Sequence, residues 1–339
     1  MLIIVIAPLS RPCHGQLLKP GKQEQIGEYV REVFQDRKGN MWFGTLTEGL
    51  ARWNGKELVY FTQQQGLIGN QINGLAEDAQ GNLWIATTDG VSKFDGNSFT
   101  NFSKKNGLND NGCWSIFCDN KGSVWVGTEK GVCRNQGSGF MSFPIPKPNV
   151  AKPTPRFSSD LAWSIIEDQQ GNMWFGTDGV GVCRFDGHTF KHFTTNDGLS
   201  SNSVVQVLQD KSGKLWFACW GDSDHGGGVF QYDGKSIRQV FRQEPGLATA
   251  NINPVYKDKS GIIWIASMNH GLYRYDGINL RRYSHTDRND LTKNFCIHSI
   301  LEDKEGKLWL GFSGGLFQLA DDSLKNVTRT SLKRASGLQ

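Results

Sequence analysis

The sequence lacks long apolar runs and blocks of like charge. No stretch of about 18 apolar residues, the minimum for a membrane-spanning helix, occurs in its 339 positions. Its 37 Lys and Arg nearly balance its 33 Asp and Glu, which leaves a net charge of +4 without a basic cluster. This balance argues against a nucleic-acid-binding tract and against a polybasic membrane arm. We therefore expect no nucleic-acid partner and no membrane span in this chain.

Cysteine is present without the spacing that metal sites need. None of the seven cysteines belongs to a CxxC or CxxH pair, and most fall at apolar positions of a repeat described below. They are Cys13, Cys113, Cys118, Cys133, Cys183, Cys219 and Cys296. The pattern predicts small buried hydrophobic residues, and we expect no zinc site, no disulfide framework and no cofactor.

Glycine and aromatic residues are abundant in a chain that is only 37% hydrophobic. There are 41 Gly, 20 Phe and 11 Trp, so the core must consist of a few large aromatic side chains set on tight turns. Few long helices fit this composition. The length alone would suggest about two domains of roughly 150 residues each, but one repetitive all-β body fits the composition better.

The motif D-x-x-G-x-x-W occurs seven times, with successive motif tryptophans 41 to 49 residues apart. The copies are Asp36-Gly39-Trp42, Asp78-Gly81-Trp84, Asp119-Gly122-Trp125, Asp168-Gly171-Trp174, Asp210-Gly213-Trp216, Asp258-Gly261-Trp264 and Asp303-Gly306-Trp309. Each period also carries an apolar segment before the Asp and a strand-like segment after the Trp, and most periods end in an aromatic pair. Four short strands per period are typical of a β-propeller blade. The sequence therefore predicts an all-β, seven-bladed β-propeller with four antiparallel strands per blade.

Each motif position has a structural explanation. The Asp can accept hydrogen bonds from backbone amides two residues later, and the Gly can adopt a left-handed conformation, so D-x-x-G closes a hairpin. Pairs such as Asp95-Gly96 predict a second hairpin with a type I′ turn. The motif Trp, followed two residues later by Gly or Ala, is expected to pack between neighbouring blades. Because the rotation between blades holds the repeated Asp residues apart, they cannot converge as a catalytic carboxylate pair.

These repeats resemble those of a known family. The segments EDAQGNLWIATTDGVSKFDGNSFTNFSKKNGL and EDQQGNMWFGTDGVGVCRFDGHTFKHFTTNDGLSSNSV resemble the two-component regulator propeller repeat of periplasmic sensor regions in bacterial hybrid histidine kinases, over about residues 29–329. In that family, tandem propellers precede an Ig-like module, a membrane span and a kinase, and many members sense oligosaccharides. The resemblance therefore implies a sensory role. This chain holds one propeller's worth of repeats and no kinase motif, so kinase activity would reside only in a downstream module of a longer protein. A downstream kinase module or a second copy of the chain, in a dimer, is therefore a further expected partner.

The amino-terminal end predicts processing. Residues 1–15 contain a short apolar run followed by small residues at Cys13 and Gly15, which predicts a signal peptide, truncated at its start and cut before Gln16. A frayed end is the alternative, and a lipid anchor on Cys13 is less favoured because Pro12 precedes it. Export would place the protein in the periplasm or outside the cell.

Three further boundaries follow from the phase of the repeats. Residues 16–28 are expected to be a linker, residues 29–329 the propeller, and residues 330–339 either a tail or the start of a further module. We expect the ring to close by packing of the first and last blades, without residues 16–28 pairing into blade seven.

Function is expected on the face that carries the loops after each Trp strand and the linkers between blades, because the repeats differ there. Residues 143–160 form a long Pro-rich linker, and residues 219–228 form an expanded turn. Trp114 and Trp163 share a slot near the start of the inner strand, and Trp220 lies in the expanded turn. Aromatic rings at this place suit stacking on sugar rings or gripping an aromatic side chain of a protein partner, with packing between blades as the structural alternative.

The ligand-binding candidates on this face are Trp114, Trp163, Trp220, Asp222, Asp224, His225, Asn269, His270, Arg31 and His298. The three His residues could approach one another, and streptogramin lyases are similar seven-bladed propellers that use a metal ion and His. A lyase or hydrolase is therefore the alternative function. No short metal-ligand spacing links the His residues, and the segment with Asp222 and Asp224 lacks the distant Glu of an EF-hand. We predict no metal site, no catalytic residue, and a non-catalytic ligand-sensing or interaction module.

Overall fold

The computed structural model describes residues 16–17, 26–150, 153, 155–221, 226–287 and 296–328. These residues form seven antiparallel sheets whose inner strands contact one another in a closed ring. They contain one short helix, α1 (Pro245–Ala248), and three 3-10 turns at Gln63–Gln65, Lys104–Asn106 and Thr195–Asp197. The predicted seven-bladed propeller with four antiparallel strands per blade is confirmed. No helix within these ranges is long and apolar enough to cross a membrane.

Each blade uses four consecutive strands, ordered from the innermost to the outermost. Blade one has β2 (Val30–Gln35), β3 (Met41–Thr45), β4 (Leu50–Trp53) and β5 (Leu58–Phe61), with β1 (Gln16–Leu17) at its outer edge. Blade two has β6 (Ile72–Glu77), β7 (Leu83–Thr87), β8 (Gly90–Phe94) and β9 (Phe99–Phe102). Blade three has β10 (Cys113–Cys118), β11 (Val124–Thr128), β12 (Gly131–Gln136) and β13 (Gly139–Phe143). Blade four has β14 (Ala162–Glu167), β15 (Met173–Thr177), β16 (Val182–Phe185) and β17 (Phe190–Phe193).

The last three blades follow the same plan. Blade five has β18 (Ser203–Gln209), β19 (Leu215–Trp220), β20 (Gly228–Tyr232) and β21 (Ile237–Val240). Blade six has β22 (Ile252–Lys257), β23 (Ile263–Ser267), β24 (Gly271–Tyr275) and β25 (Leu280–Tyr283). Blade seven has β26 (Ile297–Glu302), β27 (Leu308–Phe312), β28 (Gly315–Ala320) and β29 (Ser323–Asn326).

The motif Asp closes the first hairpin and also anchors the motif Trp. In blade two, Asp78 Oδ1 accepts hydrogen bonds from the backbone N–H groups of Gln80 at 3.0 Å and Asn82 at 2.9 Å, while Gly81 has φ of 81°. Asp78 Oδ2 accepts from Trp84 Nε1 at 2.8 Å. The equivalent Asp to indole hydrogen bond occurs in all seven blades, at 2.6 to 2.9 Å. The turn role was predicted, whereas the bond to the indole was not.

The second hairpin differs from its predicted turn type. Gly96 has φ of 103°, but Asp95 is not at positive φ, and Asp95 instead accepts from the N–H groups of Asn97 and Ser98. A type I′ turn needs positive φ at both residues of the pair, so the type I′ prediction was wrong here. Blade seven does have positive φ at two consecutive residues, Asp321 and Asp322.

The motif tryptophans pack between blades, as predicted. All seven are 2% to 6% exposed. Trp174 of blade four packs against Phe193 of its own blade and against Leu215 and Phe217 of blade five. Comparable clusters lie between the other neighbouring blades. The core of the molecule is therefore a ring of aromatic clusters between sheets.

The ring closes through packing of the first and last blades. Blade seven is completed by its own β29, while β2 contacts β26 and β27 and Phe43 packs against Trp309. Within the described residues, no amino-terminal strand joins the seventh sheet, although Ile26 N–H bonds to the carbonyl of Thr328 at 3.2 Å. The pairing of β1 with β5 at the outer edge of blade one was not predicted. Residues 1–15, 18–25 and 330–339, which carry the predictions about both ends, lie outside the described residues.

Gly127 marks a close approach between blades three and four. A Cβ at this position would overlap the carbonyl oxygen of Ala162 and the hydroxyl of Ser115, neither of which can easily move. Gly127→Ala should therefore lower the free energy of unfolding by about 1–3 kcal/mol, measured by urea denaturation. Gly74→Ala is the control, because the atom nearest to its new Cβ would be a methyl carbon of Ile116 at 3.3 Å, so a smaller loss is expected. Equal losses would contradict this explanation.

Candidate functional site

A ring of seven bulges, one in each inner strand, surrounds one end of the propeller axis. In every inner strand the register with the neighbouring strand shifts near its start. The residues skipped by the pairing are Arg31, Asn73, Trp114, Trp163, Val205, Asn253 with Pro254, and His298. A bulge turns a side chain away from the regular ladder. The slot identified in the sequence is therefore a position where the side chain can differ from blade to blade without disturbing the strand pairing. We call the ring formed by these bulged residues the mouth.

Side chains of the mouth converge across non-adjacent blades. The guanidinium carbon of Arg31, in blade one, lies 5.3 Å from the ring centre of Trp114, in blade three. Asn73 of the intervening blade donates to the carbonyl of Cys113 at 2.8 Å. Contact between blades one and three requires both side chains to point toward the propeller axis.

Four aromatic rings form a continuous cluster on one side of the mouth. The ring centres of Trp114 and Trp163 are 5.3 Å apart with planes at 71°, and Trp163 lies 5.6 Å from Trp220. Phe157 fills the corner between the first two, 5.2 Å from Trp114 and 5.5 Å from Trp163. The Phe157 side chain is 54% exposed, while the three Trp residues are half-buried. The cluster thus combines interblade packing with a solvent-facing aromatic surface.

Two of the three indole N–H groups in this cluster have hydrogen-bond partners among the described residues. Trp114 Nε1 donates to Glu129 at 3.2 Å, and Trp220 Nε1 donates to the carbonyl of Ile252 at 3.1 Å. Trp163 Nε1 is buried without a hydrogen-bond partner among the described residues. A buried unpaired donor costs about 1–3 kcal/mol, so an acceptor that reached Trp163 Nε1 would be stabilised there.

Phe157 is positioned by a buried carboxylate. Asp178, at the end of the Trp strand of blade four, is fully buried and accepts hydrogen bonds from the backbone N–H groups of Arg156, Phe157 and Ser158 at 3.0, 2.7 and 3.1 Å. The hydroxyl of Ser203 also donates to it, at 3.0 Å. Asp178 therefore fixes the end of the Pro-rich linker against the ring. Arg156, held in the same way, places its guanidinium 4.9 Å from the ring centre of Trp220.

The opposite side of the mouth is polar. His298 stacks on Tyr29, with ring centres 4.8 Å apart and planes at 26°. Burial, reinforced by the nearby charge of Arg31, lowers the pKa of His298 to about 4, so its imidazole is neutral at pH 7. Its Nε2 has no hydrogen-bond partner among the described residues. Burial also lowers the pKa of Arg31, although a guanidinium keeps its charge.

Glu32 follows Arg31 in β2. Burial raises the pKa of Glu32 to about 8, an effect that the charge of Arg31 opposes only in part. The carboxyl group is therefore mostly protonated at neutral pH. Arg31 consequently faces the mouth without a neutralising charge from its neighbour.

Of the remaining predicted site residues, Asn269 and His270 lie apart from this cluster. Asn269 and His270 lie in the turn after β23, where His270 packs against Gly246 of α1 and its carbonyl accepts from Arg282 at 2.6 Å. Asp222, Asp224 and His225 lie outside the described residues, so the predicted approach of three His residues stays a prediction. Within the described ranges, no group of three or more His, Cys, Asp or Glu side chains is arranged to hold a metal ion.

Sequence reasoning missed four residues of the site: Tyr29, Arg156, Phe157 and Asp178. Arg156 and Phe157 belong to the predicted loop 143–160, but nothing in the repeat marked them individually. Asp178 could have been noticed, because the Asp follows the Thr of the Trp strand directly in blade four but one residue later in blade two. Blade four reads Thr-Asp-Gly-Val-Gly there, whereas blade two reads Thr-Thr-Asp-Gly-Val.

The fold and its mouth define a class of protein, a seven-bladed propeller with a partly exposed aromatic cluster at one end of its axis. The family model described as "Two component regulator propeller" matches residues 24–47, 66–89, 107–130, 156–179, 198–221 and 290–314. These six segments therefore match the two-component regulator propeller repeat, as the sequence predicted. No curated protein sequence matches the chain significantly.

Several solved structures share the fold. The extracellular domain of the hybrid two component system BT3049 from B. thetaiotaomicron is 22% identical, with a TM-score of 0.69; the match covers 90% of this chain and 40% of that one. A streptogramin B lyase is 14% identical, with a TM-score of 0.67, over 87% of this chain and 95% of the lyase. PorZ, a surface component of the type-IX secretion system of Porphyromonas gingivalis, is 16% identical, with a TM-score of 0.64, over 89% of this chain and 48% of PorZ. At these identities the likeness establishes the propeller fold, which sensors, enzymes and secretion components share.

Proposed function

We propose that this chain is a non-catalytic ligand-sensing or interaction module of a bacterial signalling system. It works in the periplasm or outside the cell, and its propeller spans residues 29–329 after a signal peptide in residues 1–15. The observation that carries the proposal is the cluster of Trp114, Phe157, Trp163 and Trp220 at the mouth. The family of its repeats supports a role in signalling.

The chemistry of the mouth favours a small ring-shaped ligand. Nearly perpendicular Trp114 and Trp163 rings form a corner that can stack on a sugar ring, and hydroxyl groups of a sugar can accept hydrogen bonds from the surrounding donors. An aromatic side chain of a protein partner could occupy the same corner. A carbohydrate-like ligand fits better, because the cluster is flanked by polar donors such as Arg31 and His298 rather than by a wide apolar surface.

Phe157→Ala should separate binding from folding. The side chain is 54% exposed and its backbone is held by Asp178, so its removal should change the free energy of unfolding by less than about 1 kcal/mol. Loss of one wall of the corner should weaken ligand binding by about tenfold or more. The measurement is isothermal titration calorimetry with neutral and uronic-acid-containing disaccharides and with Trp- and Tyr-containing peptides.

Ile278→Ala is the matched control for this experiment. Ile278 is 89% exposed and lies in the hairpin between β24 and β25, on the face opposite the mouth, so its loss should leave binding unchanged. A probe that binds the parent and the Phe157 variant equally would place the site elsewhere. Binding by peptides alone would replace the carbohydrate with a protein partner.

A further inference from the structure

Two cations flank the aromatic cluster of the mouth without an acidic partner. Arg31 lies over Trp114, and Arg156 lies over Trp220 at the other end of the cluster. Within the described part of the chain, neither guanidinium forms an ion pair, whereas Lys147, in the same linker as Arg156, pairs with Asp160 at 2.7 Å. Two described carboxylates near the mouth already have other partners: Asp178 accepts from backbone amides, and Glu129 accepts from Trp114.

Arg31 is the more informative of the two. It is half-buried, and a buried charge is normally paired, because removal from water is costly. Stacking over Trp114 compensates only one face of the guanidinium. The edge of the group, which carries its N–H donors in a fork suited to two carboxylate oxygens, has no hydrogen-bond acceptor assigned to it among the described residues.

The neighbouring polar groups also favour an acceptor-rich ligand. Within the described ranges, Trp163 Nε1 is a buried donor without a partner. Glu32 does not offset this excess, because burial keeps its carboxyl group mostly protonated at neutral pH. The mouth therefore combines an aromatic corner with positive charge and unpaired donor capacity.

We propose that the mouth binds a small molecule in which a carboxylate is attached to a ring, with the carboxylate on Arg31 and the ring against Trp114 and Trp163. This inference rests on the proposed function and specifies the class of its ligand. A sugar acid and an aromatic acid share this chemistry. Both place one anionic group next to a stackable ring, and the experiment distinguishes them.

The test compares acids with uncharged partners of the same shape. Isothermal titration calorimetry is performed with methyl glucuronoside, its methyl ester and methyl glucoside, and in a second arm with benzoate and benzamide. The parent protein should bind an acid at least about thirtyfold more tightly than its uncharged partner, as expected for a charge pair shielded from water. Arg31→Gln should abolish that preference, whereas Arg31→Lys should retain part of it.

Arg134→Gln is the matched control. Arg134 also stacks on a tryptophan, Trp125, at 5.0 Å, but it lies in β12, away from the mouth, so its loss should leave the preference intact. Thermal melting of each variant shows whether it is folded, and the Lys variant keeps the test valid if the Gln variant is not. Equal binding of acids and uncharged partners, or a preference that survives Arg31→Gln, would overturn this inference alone. Absence of binding by any probe here and in the saccharide and peptide series would overturn the proposed function as well.

Discussion

Replacing Trp174 with alanine should lower the free energy of unfolding by about 3–5 kcal/mol. The indole is 2% exposed and fills the space between blades four and five, against Phe193, Phe217 and Tyr232. Its removal leaves a cavity and also deprives Asp168 of the donor at 2.7 Å. A loss of this size is a large part of the total stability of most proteins. Urea denaturation followed by tryptophan fluorescence and circular dichroism would measure it.

Trp174→Phe separates the contribution of ring packing from that of the hydrogen bond to Asp168. Phenylalanine keeps most of the ring packing but cannot donate to Asp168, so a loss of about 1–3 kcal/mol is expected. If both substitutions cost the same, the hydrogen bond rather than the packing would dominate. If Trp174→Ala costs less than about 1 kcal/mol, the motif Trp would not be an interblade anchor, and its recurrence in seven blades would need another explanation.

The scaffold could be predicted because the same three residues, Asp, Gly and Trp, recur seven times with the same spacing inside each motif. Blade number, strand number and the burial of the motif tryptophans all follow from D-x-x-G-x-x-W. The bond from Asp78 to Trp84 could have been found too, since their spacing of six residues is constant in every copy. The turn type at Asp95-Gly96 could not be predicted, because it depends on the φ angle of Asp95, which the sequence does not reveal.

The site was predictable only in part, because it depends on contacts between residues far apart in the chain. Trp114 and Trp163 stood out because they break the repeat at one slot. Nothing in the sequence indicates that Arg31 reaches Trp114 from two blades away. Nor does it show that Asp178 holds Phe157 in the aromatic corner. Both contacts depend on the curvature of the ring and on the irregular path of the Pro-rich linker.

The stability of the fold should depend on pH through two buried groups with opposite effects. Burial holds the pKa of His298 near 4, below its ordinary value of 6.5, so protonation opposes folding and stability falls as the pH drops from about 6.5 to 4. Burial raises the pKa of Glu32 to about 8 from 4.5. The folded state therefore binds this proton more tightly than the unfolded state, and stability falls as the pH rises from about 4.5 to 8.

Glu32→Gln should remove the alkaline part of this dependence. At pH 5 the carboxyl group is mostly protonated in the folded protein, and Gln resembles it, so the variant and the parent should have similar stability. At pH 9 the Glu32 carboxyl group of the parent is mostly ionised, and the ionised form is destabilised by burial in the folded protein. The variant should then be more stable than the parent by about 2–5 kcal/mol. Urea denaturation at intervals between pH 5 and 9 would measure the difference.

Glu305→Gln provides the control, because Glu305 is exposed and its loss should leave the pH profile of the parent unchanged. A Glu32 variant that loses stability between pH 5 and 9 as steeply as the parent would show that Glu32 is already ionised at neutral pH. The result also bears on the mouth. An ionised Glu32 would neutralise Arg31 and weaken the case for an anionic ligand, whereas a protonated Glu32 leaves the charge of Arg31 available to a carboxylate.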